Sequence, residues 1–430
     1  MSKYVGKQTP RYDGIGHVTG KTTYVDDVQV PGMLAVKVLR SPVHKGIIRN
    51  LDVSAVEAMP GVAGVITVKD IPGQNSYWAP DQPVFVEKNI RYKGERIAAV
   101  AAVDEDTANE ALEKFKLEIE EETPVFDPVE AMKPDAPMVR PEGNLAEFNS
   151  GNSRLTFKGD VEKGFAEADE IIEKTYVHGV NDHAPMEPHV SVAYFDGNDR
   201  LTIHTVSQAR HFHLTQLLPI LSLPLSKLHL IGGTVGGAFG GKNEIHCDHV
   251  AALMALKIHK PVKYRMSRKA DLLYSTKRGA YIFEYKSGVK KNGQVTAHQI
   301  KAVHDMGAYN VMGGYALEKM VLYAAGPYDV PHVRFEGFGV YTNKPVSSSM
   351  RGYANINTTH CSEIQMNLLA EAIGMDPWEI RYINAWRDGD VGPTGWKVVA
   401  AGLIEAMNKV TEMDGIELPA HLKAMNSRGR

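Results

Sequence analysis

Apolar residues along this chain fall into short runs separated by Pro and Gly, with stretches of helical period between them. Residues 33–40 and 96–103 are apolar, β-rich and bounded by Pro or Gly, which predicts strands. A helical pattern opens at Asp106 and runs to Phe115, and residues 56–59 predict a shorter helix stopped at Pro60 and Gly61. From 128 to 159 the chain is rich in Pro, Asn, Gly and Ser with little periodicity, as expected of a linker over the surface. Strands are then predicted at 190–194, 200–206 and 227–231, with a helix between the last two. Further helices are predicted at 243–256, 359–373 and 376–385, with an amphipathic tail at 402–413. Lys290-Lys291-Asn292-Gly293, between runs 281–289 and 294–304, is the strongest hairpin signal. No internal repeat is evident. The pattern predicts an α+β chain with a mixed first segment at 1–127, a linker at 128–159 and a larger mixed segment at 160–430.

Composition narrows the class. At 430 residues, 43% hydrophobic and 23% charged, the chain is ordinary globular material with room for two or three cores. A net charge of −3 without a basic stripe argues against nucleic-acid binding. Cys247 and Cys361 form neither a disulfide framework nor a CxxC cluster for zinc or iron–sulfur. The opening MSKYVGKQTPRYDG lacks the apolar core of a signal peptide, and the longest apolar run, near 217–225, is broken by Pro219 and Pro224. A cytoplasmic protein with no membrane span is the expectation.

The chemistry is concentrated in IGGTVGGAFGGK at 231–242, between a predicted strand and a predicted helix. Its amides can converge on an anion at a helix N-terminus, and its glycines let backbone approach a ligand closely. Gly236 to Lys242 nearly satisfies the P-loop spacing, but Asn243 stands where Ser or Thr would hold magnesium. Phe239 among six glycines is placed to face something. His178, His183, His189, His204, His211 and His213 show no third ligand at a recognisable metal spacing and read as polar or packed histidines. No GxSxG is present. Arg351 follows three serines and by itself reads as a loop arginine, and Lys319 beside Glu318 reads as a solvated pair.

Ordered motifs over nearly the whole chain resemble the molybdenum-binding subunit of the xanthine oxidase-type molybdenum hydroxylases. DG at 13–14, VTGK at 18–21, PGML at 31–34, LRSP at 39–42, MPGV at 59–62 and DIPG at 70–73 resemble that family's α/β hammerhead domain. MEP at 186–188, SQ at 207–208, GGAFGGK at 236–242, MRG at 350–352 and GMDP at 374–377 resemble its first molybdopterin-binding domain. The resemblance implies roles. Gln208 matches the glutamine whose amide hydrogen-bonds an oxygen ligand of molybdenum, where it donates without adding charge. Gly237, Phe239, Gly240 and Gly241 match the loop under the metal and the pterin, and Arg351 matches the arginine whose loop contacts the cofactor. Tyr353 stands where the family usually has a substrate-contacting phenylalanine.

Three departures matter. Asn243 stands where purine-oxidising members carry glutamate, with Glu244 one step later, and Lys319 stands where they carry arginine. A carboxylated N-heterocycle such as nicotinate fits an Asn–Lys pocket at least as well as xanthine does. The active-loop cysteine of carbon monoxide dehydrogenases has no counterpart in 347–353. The chain ends near where the family's first cofactor domain passes into its second, which brings the glutamate base.

The resemblance therefore implies the larger half of a split molybdopterin subunit, similar to nicotinate dehydrogenase. Catalytic roles fall to Gln208 and Arg351, and substrate contacts to Asn243, Lys319 and Tyr353. Molybdenum would be held only through molybdopterin, in its cytosine dinucleotide form, with no direct protein ligand. A second molybdopterin-binding chain would bring the base, and partner subunits would carry the 2Fe–2S centres and FAD. The implied reaction hydroxylates a heteroaromatic ring with oxygen from water. An aldehyde oxidoreductase and a non-catalytic half that binds pterin are the alternatives.

Overall fold

The computed structural model describes residues 4–77, 81–148, 151–417 and 419–423. Residues 149–150 of the expected linker lie outside them, as do 418 and 424–430 beyond the expected helix at 402–413. The first segment holds strands β1 (Leu34–Arg40), β2 (Gly46–Asp52), β3 (Val62–Ile66), β4 (Asn89–Ile90), β5 (Arg96–Ala102) and β6 (Lys116–Glu121). Later residues add β7 (Arg154–Lys158), β8 (Glu170–His178), β9 (Val190–Phe195), β10 (Leu201–Thr205), β11 (Leu228–Gly232) and β12 (Val262–Arg265). They close with β13 (Tyr281–Val289), β14 (Val295–Gly307) and β15 (His332–Tyr341). The helices used below are α1 (Glu105–Leu112), α2 (Arg210–Leu221), α3 (Asp248–Ile258), α4 (Gly313–Tyr323), α5 (Asn355–Ile373), α6 (Pro377–Asn384) and α7 (Leu403–Asp414).

These strands make three sheets. A seven-stranded sheet runs β11-β10-β9-β12-β1-β5-β3, a five-stranded one β7-β15-β14-β13-β8, and a three-stranded one β4-β2-β6. In the first, β1 pairs parallel with β12, Leu34 opposite Val262, and antiparallel with β5. The two segments of the chain thus share one sheet. Every residue of β5 is buried, as expected of an interior strand covered on both faces, and the apolar side of α3 packs on the same core. The predicted hairpin is present: Lys290 N–H bonds Gln294 O at 2.9 Å, and Gly293 takes the positive φ of 86° that the turn needs.

Three expectations are corrected. The end of the 128–159 stretch is β7, which pairs with β15, and 128–131 form a short helix begun by Pro128. The early helix is capped by Asp104, whose carboxylate accepts the Thr107 N–H, and so it begins at Glu105 and not at Asp106. The helix expected from Asn243 starts only at Asp248, because the residues before it are held by buried polar contacts described next. The glycine loop therefore does not lead directly into a helix N-terminus.

Candidate active site

The strand β11 ends at Gly232, and the glycine-rich loop then folds back over its own buried support. Lys242 is fully buried, and its ammonium donates to Glu187 Oε2 at 3.0 Å and Glu187 O at 2.9 Å. The same Glu187 Oε2 accepts the Gly236 N–H at 2.7 Å, so one carboxylate holds both ends of the loop. Burial pulls the Lys242 ammonium below its ordinary pKa, and the Glu187 charge opposes that shift. Two histidines grip the loop from below. His189 Nε2 lies 2.9 Å from Gly241 O, its Nδ1 2.7 Å from Asp271, and His213 Nε2 lies 3.3 Å from Lys242 O.

On the outer side, Gln208 Oε1 accepts the Gly240 N–H at 3.1 Å. Because an N–H can only donate, the oxygen must face Gly240, which leaves the exposed Gln208 NH2 as a neutral donor. Phe239 has a left-handed φ of 54° and is 48% exposed, an uncommon arrangement for a bulky residue. Its carbonyl accepts the Arg351 N–H at 2.8 Å, joining the glycine loop to the arginine loop. Gly237, with φ 97°, packs against the Phe239 ring, and a Cβ on Gly240 would sit 2.5 Å from Ser349 O.

Ser349 is the residue that sequence reasoning missed. Its hydroxyl donates to Gly240 O at 3.0 Å and accepts from Asn243 Nδ2 at 2.7 Å, while its carbonyl meets His183 Nε2 at 2.8 Å. The only signal was the serine run before Met350. Ser348 donates to Glu244 Oε1, and the buried Glu244 Oε2 has no partner. Burial pushes the Glu244 carboxyl up to about 7. Arg351 is exposed, with its carbonyl accepting from Arg278 Nη2 at 2.6 Å.

The structure thus brings Gln208, Phe239, Gly240, Gly241, Asn243 and Arg351 into one hydrogen-bonded unit, with Gly237 beside the Phe239 ring. Tyr353 adjoins it, its hydroxyl donating to Met312 O just before α4, where burial pushes the phenol up. Tyr315 and Glu318 of α4 act electrostatically on that phenol. Lys319 stands exposed one residue further on, and among the described residues no hydrogen bond joins it to Asn243, whose amide bonds Ser349 instead.

A model of the molybdopterin cofactor-binding domain matches residues 145–385, and one of the a/b hammerhead domain of aldehyde oxidase and xanthine dehydrogenase matches 19–123. The chain belongs to the xanthine dehydrogenase and aldehyde oxidase family of molybdopterin-binding proteins. It is 34% identical to the nicotinate dehydrogenase large molybdopterin subunit of Eubacterium barkeri over 411 residues, 95% of this chain and 96% of that one. It is 36% identical to a probable xanthine dehydrogenase subunit of Bacillus subtilis, over 94% of this chain and 54% of that one. Aldehyde oxidoreductase from Desulfovibrio gigas superposes with a TM-score of 0.90 at 30% identity, covering 94% of this chain and 46% of that one. The chain spans about half the length of these last two relatives and nearly all of the first. The family's fold, a hammerhead domain followed by a mixed α/β molybdopterin-binding domain, is the fold of this chain.

The residues present fit such a cofactor. An exposed neutral donor at Gln208, the exposed Arg351 and the half-exposed Phe239 border a loop whose Gly236 and Gly240 amides already have partners. A planar, anionic, hydrogen-bond-rich ligand matches that surface. Among the described residues no helix is long and apolar enough to cross a membrane.

Proposed function

We infer that this chain is the larger half of a split molybdopterin-binding subunit in a multi-subunit, molybdenum-dependent hydroxylase of N-heteroaromatic compounds. One observation carries the reading: the Gln208 amide is fixed by Gly240 so that its NH2 faces outwards, at the position the family uses beside molybdenum. The match along nearly the full length of the nicotinate dehydrogenase subunit supports the split arrangement.

Gln208, Gly237, Phe239, Gly240, Gly241 and Arg351 would hold molybdopterin, in its cytosine dinucleotide form. When bound, that group supplies the two-electron redox centre at which oxygen from water is transferred to a ring carbon. Arg351 balances anionic charge at the cofactor edge. Asn243, its NH2 committed to Ser349, turns its carbonyl oxygen to the substrate as an acceptor. Tyr353 gives an aromatic wall held rigid by Met312, and Lys319 attracts a substrate carboxylate from the rim.

A general base is still required. Glu187 is committed to Lys242, and Glu244 is buried behind Ser348, so a second molybdopterin-binding chain supplies the carboxylate. Partner subunits carrying 2Fe–2S centres and FAD would accept the electrons, and the cytoplasm is the compartment this reading assigns. Aldehyde oxidation is the second reading, favoured by the replacement of the purine-orienting glutamate with Asn243 and by the Desulfovibrio structure.

The test is native purification through this chain, followed by metal analysis, subunit identification and assay with nicotinate, hypoxanthine and an aldehyde. Molybdenum, iron, flavin, a second pterin-binding chain and turnover of a heteroaromatic acid are expected. Turnover of the aldehyde alone selects the second reading. A lone chain that stays free of molybdenum after addition of the candidate partner overturns both.

A further inference from the structure

Apart from the cofactor loop, three ligand-type side chains meet where β8 ends against α5. His178 Nε2 lies 3.3 Å from Cys361 Sγ, and one ligand atom of each of His178, His360 and Cys361 lies within 4.8 Å of the others. The two imidazoles stand nearly perpendicular, with ring centroids 5.0 Å apart. Cys361 is buried, His178 half-buried and His360 exposed. We propose that these three residues form a binding site for a zinc-type cation that staples the end of β8 to the early turns of α5.

The geometry suits that ion. With bonds of about 2.3 Å to sulfur and 2.0–2.1 Å to nitrogen, a tetrahedral centre holds its ligand atoms roughly 3.3–3.6 Å apart. The His178–Cys361 separation lies within about 0.3 Å of the sulfur–nitrogen value, and His360, exposed with its ring edge-on to His178 and Tyr176, closes the rest by side-chain rotation. One thiolate and two imidazoles select zinc or a similar soft, thiophilic metal over calcium or magnesium. On binding, one metal–sulfur and two metal–nitrogen bonds replace bonds to waters of the hydrated cation, which return to solvent with the Cys361 thiol proton, and one water stays at the fourth, exposed position. Burial, with the neighbouring His360 and Arg278, lowers the His178 pKa from its ordinary value. Burial also pushes the Cys361 thiol up to about 12.

The staple has a defined neighbour. Arg278 exchanges two backbone hydrogen bonds with Asn181, three residues beyond His178. Its guanidinium donates to Asn357 Oδ1 on α5 at 3.3 Å and to Arg351 O at 2.6 Å. A metal joining β8 to α5 therefore stiffens the frame that carries the arginine loop. It does so without touching that loop.

The experiment uses the purified native complex, stripped with a chelator and titrated with cobalt(II) alone, then competed with zinc. One cobalt per chain is expected, with a thiolate-to-cobalt charge-transfer absorption that zinc abolishes. Cys361→Ser removes that absorption, and His360→Ala, a substitution at an exposed position, weakens cobalt binding by at least ~10-fold. Absence of the absorption in the wild-type complex, or its persistence in Cys361→Ser, overturns the site. If Cys361→Ser does not fold, unchanged cobalt affinity in His360→Ala overturns it instead. None of these readouts depends on molybdenum or on turnover.

Discussion

Gln208 and Gly240 share one hydrogen bond, side-chain oxygen to backbone N–H, that settles which end of an exposed amide faces outwards. That bond makes a sharp prediction. Gln208→Glu still accepts from Gly240 but loses the outward donor, so kcat should fall on the order of 100-fold. Folding should hardly notice, with Tm within about 2 °C of wild type, because the residue is exposed. Equal loss of kcat and of Tm, read by steady-state assay and calorimetry, would place Gln208 in the scaffold and not at the cofactor.

Gly240 and Gly143 both have φ above 100°, but only Gly240 is crowded. Ala at Gly143 meets nothing within 4 Å and should cost only backbone strain, about 1–3 kcal/mol. Ala at Gly240 adds a clash with Ser349 O at 2.5 Å and must displace the arginine loop as well. Thermal denaturation should rank Gly240→Ala clearly below Gly143→Ala, with molybdenum content lost in the former alone.

The Lys242–Glu187 pair is buried, so removing one partner strands a charge. Glu187→Ala should destabilise by roughly 3–5 kcal/mol. The double variant Glu187→Leu, Lys242→Met should lose less than Glu187→Ala alone, since it removes both charges together. Chemical denaturation of the three proteins checks the order. A single-variant loss below about 1 kcal/mol would show that water reaches the ammonium.

Glu244 gives a pH signature whose sign is fixed by its raised carboxyl. Folded, it titrates at about 7, against an ordinary value of 4.5 when unfolded. Between those values the folded chain binds the extra proton, so this group's contribution to stability declines as pH rises from about 4.5 to 7. Glu244→Gln should flatten that slope and leave the variant relatively more stable at pH 8 than at pH 5. Parallel slopes in urea denaturation at several pH values would show that Glu244 is ionised in the folded protein.

Much of this architecture was legible because the signals were local. The β13–β14 hairpin, the continuous apolar run of β5 and the Asp376 cap of α6 are each written within a dozen residues. The glycine loop was legible as a place where backbone must bend and be approached. What escaped depends on distant partners. Residues 243–247 look helical by pattern, yet Asn243 answers to Ser349 and Glu244 to Ser348, more than a hundred positions away. The three bonds of Ser349 have no sequence signature at all. The placement of Lys319 depends on how α4 sits over Tyr353, which periodicity does not encode.

The pairing of Leu34 with Val262 also sets a timetable for synthesis. A ribosome adding about 5–20 residues per second needs roughly 10–45 s between making β1 and making its partner β12. Through that interval β3, β5 and β1 can assemble, but the far side of β1 presents bare N–H and C=O groups. Nascent chains of this protein therefore carry an open, apolar strand edge throughout that interval. Until β12 arrives to close it, that edge is open to pairing with the wrong strand.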